Sequence, residues 1–173
     1  MGTTRRTLFL VAGCALAAAG CGFRLQGAAA GLPAGVTSVY LSAPEQLSPF
    51  VIELERGLRS AGAVSAPSAG EADAVIRVLH DRTGRRVLSV SARNTPQEYE
   101  VFYNVDYAID RAGQEAVPAQ RLELTRNFSF DESLLLAKNH EETILRDAMA
   151  RDLADLVLRR LGSLPPLPAG PSR

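Results

Sequence analysis

The chain has 173 residues, 46% of them hydrophobic, with 19 basic and 19 acidic side chains and no Trp. That length suits one domain with a sizeable core, and a formal charge of zero lacks the basic excess of a nucleic-acid-binding protein. Two cysteines, both in the first 21 residues, and two histidines sixty residues apart supply neither a disulfide framework nor a metal-ligand set for the body of the fold.

Residues 1–20 read as an export address. Arg5 and Arg6 form a positive n-region, Thr7 to Gly20 is uncharged, and no acid precedes Glu45. The run is shorter than the about 20 apolar residues of a spanning helix, as a secretory h-region is. Ala18, Ala19 and Gly20 precede Cys21, the arrangement of a lipobox whose cysteine thiol is diacylated and becomes the mature N-terminus. Ala18 stands where leucine is usual. Cys14 follows a similar small-residue run but would leave too short an h-region, so Cys21 is the expected lipidation site. Two acyl chains anchor a protein stably without a transmembrane helix. Cleavage would remove two arginines and no acid from the 19 of each, leaving 17 basic and 19 acidic residues in the mature chain.

Residues 21–35, rich in Gly and Ala, read as a flexible tether. Val36 to Leu41 is a short strand. A helix follows, with Ser48 as N-cap and Pro49 at its first position. Its apolar stripe is Leu47, Phe50, Val51, Leu54, Leu58 and Ala61, and Gly62 ends it. Ser65 to Glu71 reads as a loop, Ala74 to Leu79 as a strand, Arg82-Thr83-Gly84 as a turn, and Arg86 to Ser91 as the returning strand. Tyr99, Val101, Tyr103, Val105, Tyr107 and Ile109 then alternate with Glu98, Glu100, Phe102, Asn104, Asp106 and Asp110, the period of a long half-buried strand. Arg111-Ala112-Gly113 turns the chain into another strand through Leu122, Leu124 and Arg126, where Pro118 marks an edge or a bulge.

Asn139 with Glu142 has capping-box spacing and predicts the start of a second helix. Leu145, Met149, Leu153, Leu156 and Val157 form its apolar face, Arg159 and Arg160 suit the dipole at its end, and Gly162 stops it. Residues 162–173 read as a Pro-rich disordered tail. The expected fold is α+β, a two-layer sandwich with two helices on one face of a mixed, mostly antiparallel sheet of about four strands, forming a single domain over 36–161.

Chemistry-bearing patterns are sparse. His140-Glu141-Glu142 would need a second His at position 144 to make a zinc motif, and that residue is Ile. His80 reads as a surface histidine, and neither a nucleotide loop nor a nucleophile elbow is present. Neither an enzymatic activity nor a cofactor or metal is expected. Arg82, Arg85, Arg86 and Arg93 fall within twelve residues on the predicted hairpin, with Arg77 just before. Such a cluster can grip phosphates by paired hydrogen bonds, and a solvated arginine-rich tip has the same spacing. Tyr99, Tyr103 and Tyr107 share a strand face that serves core packing or an aromatic binding strip.

In this order the segments resemble the LptE family of lipopolysaccharide-assembly lipoproteins. The resemblance rests on Cys21-Gly-Phe-Arg-Leu-Gln-Gly27, Gln97-Glu98-Tyr99, Leu124-Thr-Arg-Asn-Phe-Ser-Phe-Asp131 and Leu136-Ala-Lys-Asn-His-Glu-Glu142 continuing to Leu161. It implies a non-enzymatic subunit at the outer membrane, lipid-anchored on the periplasmic side or in a barrel lumen, that plugs an LptD-like β-barrel and binds lipopolysaccharide. Arg93, Arg126 and Lys138 lie in or beside the matching motifs and become candidate contacts, while Glu123 stands in a stretch that family members tend to keep basic. The alternative is a periplasm-facing lipoprotein that binds a small ligand or scaffolds another envelope complex.

Overall fold

The computed structural model describes residues 31–129 and 135–165, and of residues 135–139 the backbone alone. Strand β1 (Ser38–Ser42) leads into helix α1 (Pro49–Ser60). Strand β2 (Val64–Ser65) and a 3-10 turn at Ala69–Glu71 follow, then β3 (Ala74–Val90), β4 (Pro96–Arg111), β5 (Gln114–Ser129) and helix α2 (Leu135–Gly162). The five strands lie in the order β2-β1-β3-β4-β5. β1 runs parallel to β2 and β3, and the remaining pairs are antiparallel. Two helices on a mixed sheet is the expected architecture, with five strands where about four were anticipated; the two-residue β2 (Val64–Ser65) overlaps the start of the Ser65–Glu71 loop.

Local signals act where they were read. Ser48 Oγ accepts from Val51 N at 3.2 Å, capping α1 ahead of Pro49. Phe50, Val51, Leu54 and Leu58 are buried, but Leu47 is 80% exposed because it precedes the cap and leaves the helical stripe. In β4 the residues Val101, Tyr103, Val105, Tyr107 and Ile109 are buried, and they meet Met149, Leu153 and Val157 of α2 in one core. Two of the three tyrosines are therefore core. The helices approach closely where a Cβ on Gly57 would stand 2.3 Å from Leu158 Cδ1. Ala112 and Gly113, with φ 49 and 73, make the two-residue hairpin turn expected there. Pro118 sits on edge strand β5 beside the register shift between Tyr107 and Ile109.

Two boundaries differ from the sequence expectation. β3 runs unbroken through Arg82-Thr83-Gly84, where a turn was predicted. Gly84 lies opposite Phe102, whose ring covers it so closely that an added Cβ would stand 2.6 Å from Cζ. The glycine is a seat for an aromatic ring, not a turn. α2 begins at Leu135, so Asn139 is inside the helix rather than its cap. Glu142 is buried and accepts from Arg85 Nη1 of β3 at 2.7 Å. The carboxylate that suited a capping box serves a tertiary ion pair instead.

Asp73 ties β1 to β3. Its Oδ2 accepts from Thr37 N and Ser38 N at 2.8 Å each, and from Thr37 Oγ1 and Ser38 Oγ at 2.9 Å each. These donors, the Thr37 backbone N–H first, hold its carboxyl well below the usual carboxylate range. A folded-state value below the ordinary Asp value of about 3.9 contributes stability above that pH, lost as the pH falls toward the folded value. The urea-unfolding midpoints of wild type and Asp73→Ala are expected to differ most at neutral pH. The gap should narrow continuously from about pH 4 downward; a gap independent of pH would contradict this account.

Candidate functional site

β1 pairs with β3 only from Ala74 to Arg77, so beyond that point the sheet narrows to a ribbon of β3, β4 and β5. The ribbon ends in the turn Ser91–Thr95. There Ser91 N donates to Thr95 O at 2.8 Å, Asn94 N donates to Ser91 O at 2.9 Å, and Ser91 Oγ accepts from Arg93 N and Thr95 N. Asn94 takes φ 60, a left-handed conformation that Asn tolerates better than most residues. Ser91, Asn94 and Pro96 were the local signal for this turn, seven residues beyond the glycine read as one.

Because the turn lies there, the arginines do not share a hairpin tip. They alternate between the two faces of the ribbon. Arg77, near the base, donates from Nε to Asp110 at 2.7 Å and from Nη2 at 3.1 Å, and approaches Glu115 at 3.4 Å. Arg82 is exposed opposite Asn104, with no carboxylate partner among the described residues. Arg86 pairs with Glu100 on the same face, the one away from the helices. Arg85 points to the helix side, bound to Glu142 with its guanidinium 5.0 Å from the Tyr99 ring centroid. Tyr99 in turn stacks on Phe128 at 5.8 Å. Arg126 also faces the helices, 3.4 Å from Asp152. Arg93 projects exposed from the end turn, again without a carboxylate partner among the described residues. Lys138 lies in the first turn of α2, its side chain outside the described residues, and Cys21 falls outside them altogether.

Apart from Arg82 and the Phe102 ring over Gly84, the open face of the sheet is polar and charge-paired. Arg121 of β5 grips Asp106 through Nε and Nη2 at 2.7 and 2.8 Å, and the Arg121 hydrogen bond holds the Asp106 carboxyl below its usual range. Asn104 Oδ1 is buried there without a hydrogen-bond partner. His80, opposite Asp106, is exposed, and His140 is exposed on α2. Among the described residues no three His, Cys, Asp or Glu side chains gather to hold a metal. A hollow of about 220 Å³ beside α1, lined by residues including Leu58, Arg59 and Val64, is smaller than the roughly 300 Å³ at which ligand pockets begin.

One buried group escaped sequence reading. Arg111, read only as a turn residue, is buried at the base and donates to Pro165 O at 2.7 Å and Ala34 O at 3.2 Å. It clasps both described ends of the chain there, and Leu164 packs into the core beside it. The Arg93 turn is the far pole, about 50 Å away by the length of β4. Nothing in the local pattern marks Arg111, because both partners are carbonyls distant in sequence.

The profile of the LptE lipopolysaccharide-assembly family matches residues 36–161. Among solved structures, an uncharacterized lipoprotein B from Nitrosomonas europaea is 30% identical with a TM-score of 0.69, the match covering 82% of this chain and 91% of that one. The rare lipoprotein B of Shewanella oneidensis is 25% identical with a TM-score of 0.65, over 73% of this chain and 94% of that one. A minor lipoprotein from Acinetobacter baumannii shares the fold at 21% identity and a TM-score of 0.61, over 75% and 95% of the two chains. No curated protein sequence matches the chain. Among the described residues no helix is long and apolar enough to cross a membrane.

Proposed function

As the chain belongs to the LptE lipopolysaccharide-assembly family, a family of non-enzymatic lipoproteins, we propose that it is the lipid-anchored subunit of an outer-membrane lipopolysaccharide translocon. In this reading it sits in the lumen of an LptD-like β-barrel, helps that barrel assemble, and meets lipopolysaccharide with its distal arginines. Cys21 carries the acyl chains, and the tether joins the fold at the base, where Arg111 fixes Ala34.

The observation that carries the proposal is the open sheet face. A barrel lumen is polar, so a plug must present satisfied charge over a rigid core. Here the Arg77–Asp110, Arg86–Glu100 and Arg121–Asp106 pairs cover a sheet whose other face is packed under both helices. Polar side chains held in pairs can be seated against a wet wall without stranding a charge. Lipopolysaccharide phosphates would be met by arginines not already paired, Arg93 at the tip foremost.

Coexpression with the cognate outer-membrane barrel, followed by purification through a tag on the barrel, is expected to yield a stoichiometric complex that survives size exclusion in detergent. A chain that never coelutes with the barrel would sink the proposal.

A further inference from the structure

The outer side of β3 beyond Arg77 is an open backbone edge. From Val78 to Val90 the strand pairs with β4 alone, and no backbone hydrogen bond from this stretch reaches any other described segment. Register shifts fall between Val78 and His80 and between Val87 and Ser89. Between them the β4 pairing runs in step from His80↔Asp106 to Val87↔Tyr99, leaving an uninterrupted edge of eight residues, His80–Val87.

Edges are ordinarily blunted by proline, by charged side chains, lysine above all, by bulges or by a covering segment. β3 has its bulges outside His80–Val87, and the charges it carries there include Arg85 and Arg86, which are drawn into ion pairs with Glu142 and Glu100. β5, the opposite edge of the ribbon, contains Pro118 and no strongly exposed large apolar side chain. β3 has neither proline nor lysine, and it exposes Leu79, Val87, Leu88 and Val90 by 44 to 52%. At its middle stands Arg82, exposed and without a carboxylate partner among the described residues. A row of N–H and C=O groups asks for a matching row, which an acyl chain cannot supply and an extended peptide can.

We propose that the His80–Val87 edge accepts an extended segment of the barrel partner as an added strand, with an acidic residue of that segment opposite Arg82 and apolar residues near Leu79 and Val87. The inference rests on the barrel association proposed above and adds where and by what chemistry the two chains join.

The test is amide hydrogen exchange on the full-length chain, free and in its purified complex with the barrel. The outward-facing amides of 80–87, those of every second residue, are expected to exchange at least tenfold more slowly in the complex, with a clearly smaller change at the outward amides of the β5 edge over 121–127. Arg82→Glu should weaken the complex at least tenfold without altering the thermal midpoint, while Arg159→Glu, at the base, should leave affinity within twofold. Equal slowing on both edges would indicate simple enclosure in the lumen and overturn the added strand. Slow exchange of those outward amides already present in the free chain would overturn it too, as the edge would be covered by the protein itself, whereas the alternate amides bonded to β4 are slow in both states. If a complex forms and 80–87 are unaffected, this inference alone fails. If no complex forms, the proposed function fails and takes the inference with it.

Discussion

Tyr103→Ala is expected to lower the free energy of unfolding by about 3–5 kcal/mol, the range for deleting a large buried aromatic side chain. The ring is wholly buried at the centre of the core, among residues of α1, α2 and the sheet. Its hydroxyl accepts from Phe50 N at 3.2 Å, satisfying one of the first-turn N–H groups of α1 that have no partner within the helix. Burial, with the Asp81 carboxylate beside it, raises the hydroxyl's pKa, so the group stays neutral and pH-insensitive across the physiological range. Tyr103→Phe separates the two contributions: it keeps the ring and strands the Phe50 N–H, at a cost of about 1–2 kcal/mol. Urea unfolding followed by circular dichroism measures both. A loss below about 1 kcal/mol for the alanine variant would mean that the core closes over the cavity, contradicting the packing described here.

Arg93→Glu is expected to weaken binding to immobilised lipopolysaccharide by tenfold or more at physiological salt. A hydrogen bond to a charged group contributes about 1.5–3 kcal/mol, and each 1.4 kcal/mol is a factor of ten. Arg93 is exposed at the far pole of the ribbon and carries no internal ion pair among the described residues, so the substitution breaks none of them. Arg159→Glu changes net charge by the same amount at the opposite pole and should alter affinity less than twofold. The control matters because the chain carries 19 basic and 19 acidic residues. With no overall field to draw in a phosphorylated lipid, its grip must be local. Equal losses in both variants would show that total charge decides binding and remove Arg93 from the site.

Much of the fold is legible in the sequence. The alternation of Tyr99 to Ile109 named the buried face of β4, Ser48-Pro49 placed the start of α1, and Met149, Leu153 and Val157 marked the buried stripe of α2. Each of these is a local periodicity or a cap, written within a few residues. The errors also share a cause. Gly84 looked like a turn because its role depends on the Phe102 ring across the sheet. Glu142 looked like half of a capping box because one of its two partners, Arg85, is 57 residues away, the other being Arg146 within the helix.

The same division holds for the surface. By itself the sequence determined the layered α+β architecture, the polar outer positions of β4 and the family resemblance, all of which follow from patterns of period 2 and 3.6 and from ordered short motifs. The clustering of arginines in β3 was legible too, but which of them is available was not. Tertiary structure decided that. A strand sends successive side chains to opposite faces, so Arg85 and Arg86, adjacent in sequence, reach Glu142 of the helix layer and Glu100 of the open face. Pairing across the sheet and between layers consumes charge wherever an acid is brought opposite. Among the described residues Arg82 and Arg93 are left over, because register and turn placement bring no described acid to them.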